Sequence, residues 1–133
     1  ETIPHYLEFL SELKSRGFKT AVATSAPRAN LDLIANFLGL DKKMDSMMSS
    51  EDVMFHKPNP EVYLKSAERV GVSPSDCVVF EDSFSGITAG LNAGMKVVGV
   101  LSTHTKEQLP ICDFYINDYS EINVEKILDL LKL

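Results

Sequence analysis

The chain has 133 residues, 44% of them hydrophobic and 24% charged, with 13 basic against 19 acidic side chains for a formal charge of -6. That length supports one domain with a modest core, and the acidic balance argues against nucleic acid or an anionic membrane surface as partner, since both attract clustered Lys and Arg. No apolar run nears the roughly 20 residues of a membrane-spanning helix, and no basic start followed by an apolar stretch marks a secretion signal. Cys77 and Cys112 have neither metal-ligand spacing nor the look of a disulfide framework, which fits a reduced, cytoplasmic setting. Cys77, just before an apolar run, reads as a small core residue. The sequence opens at Glu1, without Met, straight into helix-like residues, and is expected to be a piece of something longer.

Helical and strand patterns alternate along the chain with short polar joins, the mark of an α/β domain with a mainly parallel sheet. Residues 4–16 place Tyr6, Leu7, Phe9, Leu10 and Leu13 on a helical period, which stops at Gly17. Residues 19–24 form a short apolar strand, and a second helix runs from about Pro27 to Gly39. Residues 44–49 make a weak strand near a sheet edge. The third helix spans 60–70, with Asn59 as N-cap, Pro60 at the first helical position and Gly71 behind it. Residues 77–81 are strongly apolar, as in a strand buried on both faces. A helix over 84–93 carries Gly86, Gly90 and Ala93, small enough to let it lie close to the sheet. Strands at 96–101 and 114–116 and an amphipathic helix at 121–132 complete the order.

Three polar groups fall where such a sheet places its ligands, beyond the carboxyl ends of the strands. Thr24 and Ser25 follow one apolar strand and precede a helix, where hydroxyls and backbone N–H groups favour an anion. Lys57 stands in a loop, its backbone biased toward extension by Pro58, and supplies a compact positive charge for phosphoryl oxygens. Glu81 and Asp82 end the most apolar strand. Adjacent carboxylates repel unless a cation shares the site, and magnesium, which prefers carboxylate oxygens, suits them. Each group has a plainer reading when taken singly: a helix cap for Thr24 or Ser25, a solvated loop lysine, and a carboxylate cap for the helix near Phe84.

The segments VATSAP, HKPNPEVY and VVFEDSFSGITAGLNAGM resemble the second, third and fourth motifs of the haloacid dehalogenase-like superfamily, closest to its β-phosphoglucomutase-like and small-phosphate phosphatase members. The likeness runs from about Thr2 to the carboxyl terminus and is most specific in the last segment. It implies a Rossmann-like, three-layer α/β/α core. It also implies magnesium-dependent phosphoryl transfer, either hydrolysis of a phosphate monoester or a sugar phosphomutase reaction, through an aspartyl-phosphate. The substrate implied is a small phosphorylated metabolite of the sugar-phosphate kind. By the same resemblance Thr24 holds the phosphoryl group, Ser25 and Ala26 add loop contacts, and Lys57 bridges that group and the nucleophilic carboxylate. Asp82 binds magnesium, Glu81 binds it directly or through water, and Arg28 falls where some relatives contact substrate.

The family's first motif, an Asp-x-Asp pair that carries the nucleophile, occurs nowhere in this sequence, and neither does the cap segment that follows it. Residues 1–133 are therefore expected to be the carboxyl-terminal part of the core without its first, central strand, and inactive alone. A non-catalytic phosphate-binding or regulatory module is the alternative, and a metal-free dehalogenase or a response-regulator receiver fits less well. The missing strand lies, in the family, between the strands ending at Thr24 and Glu81. An N-terminal segment, direct pairing of those two strands, or a second chain is expected to fill its place, and a lone chain with both edges left open would count against this strand order. Replacing Lys57, taken as a loop residue, is expected to leave the thermal midpoint nearly unchanged.

Overall fold

The structure is a computed structural model that describes residues 3–132, apart from the side chain of Asp41. The expected start of the resemblance at Thr2 and the domain limits at Glu1 and Leu133 lie outside those residues. Helix α1 (Tyr6–Ser15) buries Phe9 and Leu10 and is closed by Gly17 at φ 83°. Strand β1 (Ala21–Ala23) is shorter than the apolar run around it. Thr20 is diverted, its N–H to the Asp45 carboxylate (2.8 Å) and its hydroxyl to the Lys43 carbonyl (2.7 Å). Helix α2 (Arg28–Leu38) takes Pro27 as N-cap and ends on Gly39 at φ 68°. Strand β2 (Ser46–Met48) pairs in parallel with β1 and stands at the sheet edge, as its weak pattern foretold.

Helix α3 (Glu61–Val70) begins one residue later than the sequence indicates, with Pro60 as its N-cap. Asn59 still serves the start of the helix, because its Oδ1 accepts from the Glu61 N–H at 3.0 Å. Strand β3 (Val78–Glu81) leads into α4 (Phe84–Asn92), whose N-cap Ser83 accepts from the Gly86 N–H at 3.0 Å. Strands β4 (Lys96–Val100) and β5 (Phe114–Ile116) extend a parallel sheet in the order β3-β4-β5. Helix α5 (Val124–Leu131) starts later than expected. Residues Tyr119–Glu121 form a separate single turn, and Asn123 caps the helix by accepting from the Lys126 N–H at 2.9 Å.

The parallel strands with helices between them confirm the Rossmann-like class. Val97 and Val98 of β4 are fully buried, on opposite faces of the pleat. Val97 belongs to a cluster with Val62, Tyr63, Val79 and Ile87, while Val98 packs with Phe9, Ile116, Tyr119 and Ile127. One expectation about β3 is corrected, and one of the three alternatives for the gap beside it is set aside. Strand β3 is not buried on both faces: of its four residues only Val79 is buried. The reason is that β3 has a strand neighbour on one side alone, β4. Nor does β3 pair with β1. Among the described residues β2-β1 and β3-β4-β5 stay separate sheets, each with an unpaired edge. That open arrangement is the one expected to count against the strand order, although one side chain still links the ends of the two strands. Lys57 reaches the end of β1 and the end of β3 at once, so the two strands flank a single point. Cys77 sits half-buried at the margin of the first cluster, and burial pushes its thiol pKa up.

Candidate active site

The Lys57 ammonium is the centre of the site. Only 9% of its side chain is exposed, and its Nζ donates to the Ala23 carbonyl at 3.1 Å and pairs with the Glu81 carboxylate. It also lies over the Tyr63 ring, 5.1 Å from the centroid. Lys57 lies in a loop as expected, but this buried pair argues against the expectation that its loss leaves stability nearly unchanged. Removing one partner of a buried ion pair strands the other charge, at a cost of about 3–5 kcal/mol.

Glu81 is equally enclosed, with 11% of its side chain exposed. Its Oε2 accepts from both Lys57 Nζ and the Tyr63 hydroxyl, while Oε1 has only a long contact from Ser83 Oγ at 3.4 Å. Burial, and after it the Glu81 charge, push the Tyr63 pKa far up, so the phenol stays a donor. Gly86 walls the carboxylate from α4, and a β-carbon there would overlap it. Asp82, half-buried, is approached from the segment after β4: Ser102 Oγ donates to Oδ2 at 3.4 Å, and His104 Nδ1 lies 3.1 Å from the Asp82 carbonyl.

On the β1 side Thr24 is half-buried, and its Oγ1 accepts from the Ala26 N–H at 3.1 Å, which ties the turn before α2. A hydroxyl that accepts in this way keeps its own proton to donate. The Thr24 N–H extends the β1–β2 ladder to the Met48 carbonyl (3.0 Å), and the Ala26 carbonyl accepts from the Ser50 N–H (3.0 Å). Ser25 is exposed beside them. Arg28 is held elsewhere. Its Nη2 donates to Asp52 Oδ2 at 2.8 Å and to the Met47 carbonyl at 3.2 Å, and Nη1 lies 3.8 Å from Asp32. Its guanidinium braces the turn after β2, a structural duty that its position in the sequence does not reveal.

The structure thus brings Lys57 and Glu81 into contact, sets Asp82 next along the chain, and places the Thr24 turn just beyond Ala23. Sequence reasoning missed Tyr63, Ser102 and His104, and read Gly86 only as a small residue that lets the helix approach the sheet. Tyr63 lay inside the quoted HKPNPEVY segment, six residues after Lys57, but an aromatic on the buried face of a helix reads as core. Among the described residues no three Asp, Glu, His or Cys side chains converge. Magnesium needs no such group, since it commonly takes one or two carboxylates and completes its shell with water and phosphate oxygens. Asp82, with the Oε1 of Glu81, which has only the long Ser83 contact as a hydrogen bond, suits that demand.

A parallel α/β core with a buried lysine–carboxylate pair at its strand ends is the frame of a hydrolase class. The chain belongs to the haloacid dehalogenase-like hydrolase family, whose profile matches residues 1–100. It is 33% identical over 121 residues to the validoxylamine A 7'-phosphate phosphatase of Streptomyces hygroscopicus subsp. limoneus, covering 91% of this chain and 57% of that protein. A haloacid dehalogenase-like hydrolase of family IA, variant 3, from Entamoeba histolytica superposes with a TM-score of 0.88 at 30% identity, over 98% of this chain and 61% of that one. The β-phosphoglucomutase of Clostridium difficile gives 0.85 at 28%, over 98% and 56%. The chain therefore spans less than two thirds of the length of these relatives.

Proposed function

We propose that the full-length protein is a magnesium-dependent phosphoryl-transfer enzyme, a phosphatase or phosphomutase acting on a small phosphorylated metabolite such as a sugar phosphate. The observation that carries this reading is the buried Lys57–Glu81 pair, which ties the ends of β1 and β3 at the strand termini where such folds bind ligands. The names of the relatives, a validoxylamine A 7'-phosphate phosphatase and a β-phosphoglucomutase, support it.

In this reading the nucleophilic aspartate belongs to a segment outside these residues, which also supplies the strand between β1 and β3, and the chain alone is inactive. A second chain is the other candidate to complete the sheet. Thr24 donates its free hydroxyl proton to the transferring phosphoryl group, with Ser25 and Ala26 offering loop contacts. Lys57, held in place by Glu81, presents positive charge to the same oxygens. Asp82, and Glu81 through Oε1, would hold magnesium, which when bound supplies further charge to the phosphoryl oxygens. Arg28 acts on this loop from a distance, by bracing it through Asp52. The free cysteines, Cys77 and Cys112, support a reduced, cytoplasmic setting.

The test is hydrolysis of p-nitrophenyl phosphate by the full-length protein, with magnesium and with EDTA, in the parent and in Asp82→Ala. We expect EDTA and the substitution each to abolish turnover while the circular dichroism spectrum is kept. Undiminished activity in either would overturn the assignment.

A further inference from the structure

The packing of α3 explains why residue 63 is aromatic but not why it is a tyrosine. The ring lies in the buried cluster with Val62, Ala67 and Val79, and a phenylalanine would fill that space equally well. Burying a hydroxyl is unfavourable unless it finds a partner, and here the partner is Glu81 Oε2. The same ring lies beneath the Lys57 ammonium, so Tyr63 touches both members of the ion pair.

A carboxylate oxygen has two lone pairs, and Oε2 meets two donors, Lys57 Nζ and the Tyr63 hydroxyl. Gly86 packs against Cδ and Oε1 of the same carboxylate. Without the hydroxyl the carboxylate would be held on Oε2 by Lys57 alone and could turn about its terminal bond, exchanging its two oxygens. We infer that Tyr63 is a positioning residue, which with Lys57 saturates Oε2 of Glu81 and so leaves Oε1, which has one long contact from Ser83 and Gly86 packed beside it, as the oxygen with a lone pair to spare for a divalent cation. This rests on the reading of Glu81 and Asp82 as a magnesium site. It adds a group that none of the motif residues accounts for.

The experiment measures the magnesium dissociation constant by isothermal titration calorimetry on the full-length parent, Tyr63→Phe, Glu81→Gln and the double variant. Values of kcat and KM for p-nitrophenyl phosphate accompany it. Removing an outer partner of a metal ligand commonly costs about 10- to 100-fold in affinity. We expect Tyr63→Phe to weaken magnesium binding by about that factor, to leave KM for the ester within about twofold, and to add nothing in the Glu81→Gln background. A dissociation constant for Tyr63→Phe within twofold of the parent overturns the inference. So does an equal loss in both backgrounds, which would mark Tyr63 as a packing residue acting independently of Glu81. If the parent itself neither binds magnesium nor hydrolyses the ester, the phosphoryl-transfer reading falls first and takes the inference with it.

Discussion

Gly86, in the first turn of α4, packs its α-carbon so closely against the Glu81 carboxylate that no other residue fits without moving it. The helix could otherwise accept alanine, which is favoured over glycine by about 1 kcal/mol in a helix interior. Displacing Glu81 would disturb two charge-assisted hydrogen bonds, each worth about 1.5–3 kcal/mol. Gly86→Ala is therefore expected to lower stability by about 1–3 kcal/mol net, and to depress turnover of the full-length protein, while Asn92→Ala at the exposed end of the same helix changes neither. Urea titrations of the two variants check this, and a Gly86→Ala protein more stable than its parent would refute it.

Lys57 carries a double burden, and its removal is expected to show both. Lys57→Ala in the full-length protein should lose about 10²–10³ in kcat as a transition-state donor. It should also lose about 3–5 kcal/mol of stability, because Glu81 is left charged and enclosed. Adding Glu81→Gln to Lys57→Ala should restore part of the stability and none of the activity. Denaturant midpoints of the two single variants and the double give the coupling directly. Purely additive losses, within about 0.5 kcal/mol, would mean that the two groups do not act as a pair.

The succession of strands and helices, and the placement of the candidate residues at strand ends, were legible in the sequence because both are written locally. Val97 to Val100 read as a buried strand from their own side chains, and TSAP, Lys57 and EDS each follow or precede a recognisable element. What was not legible depends on partners far along the chain. Arg28 is held by Asp52, 24 positions away, and Lys57 is buried by Glu81, also 24 positions away. The half-exposed state of β3 follows from having one strand neighbour, which no apolar pattern can encode. The late start of α5 is a capping effect: Asn123 outcompetes the helical period that continues back to Glu121.

Asp52 predicts a pH dependence. Its pKa is lowered chiefly by the Ser49 N–H, with the Ser49 hydroxyl and Arg28 adding to the effect against the opposing influence of burial. A carboxylate depressed in the folded state contributes stability above its unfolded pKa, near 3.9, and loses it as pH falls through the folded value. Asp45, lowered first by its hydrogen bond from Lys14 and then by the Thr20 N–H, acts in the same direction. Asp52→Asn is expected to be less stable than its parent at pH 7, and the gap should close as pH is lowered through about 4 toward 2. Urea midpoints across that range check it, and a gap that is independent of pH would show that the ionised form contributes nothing.

The last prediction concerns the edges of β1 and β3, which face no strand partner among the described residues. An unpaired edge offers N–H and C=O groups that recruit foreign strands. Here the two edges flank one point, Lys57, so a single strand could pair with both. Such a strand would bury some three to five apolar side chains at about 1.5–3 kcal/mol each, or roughly 5–15 kcal/mol in all. That equals the whole stability of an ordinary domain, about 5–15 kcal/mol. The exposure of β3 points the same way, since Val78 and Phe80 are only half covered while Val98, the partner of Phe80 in β4, is buried. Residues 1–133 prepared alone are therefore expected to self-associate or to bind an apolar dye such as ANS. A version extended by an N-terminal strand should do neither, and its β3 amides should exchange with solvent far more slowly. Sedimentation and hydrogen exchange on the two preparations decide it. A lone chain that sediments as a monomer, excludes the dye and unfolds in one transition with more than about 5 kcal/mol of stability would show that these edges need no strand between them.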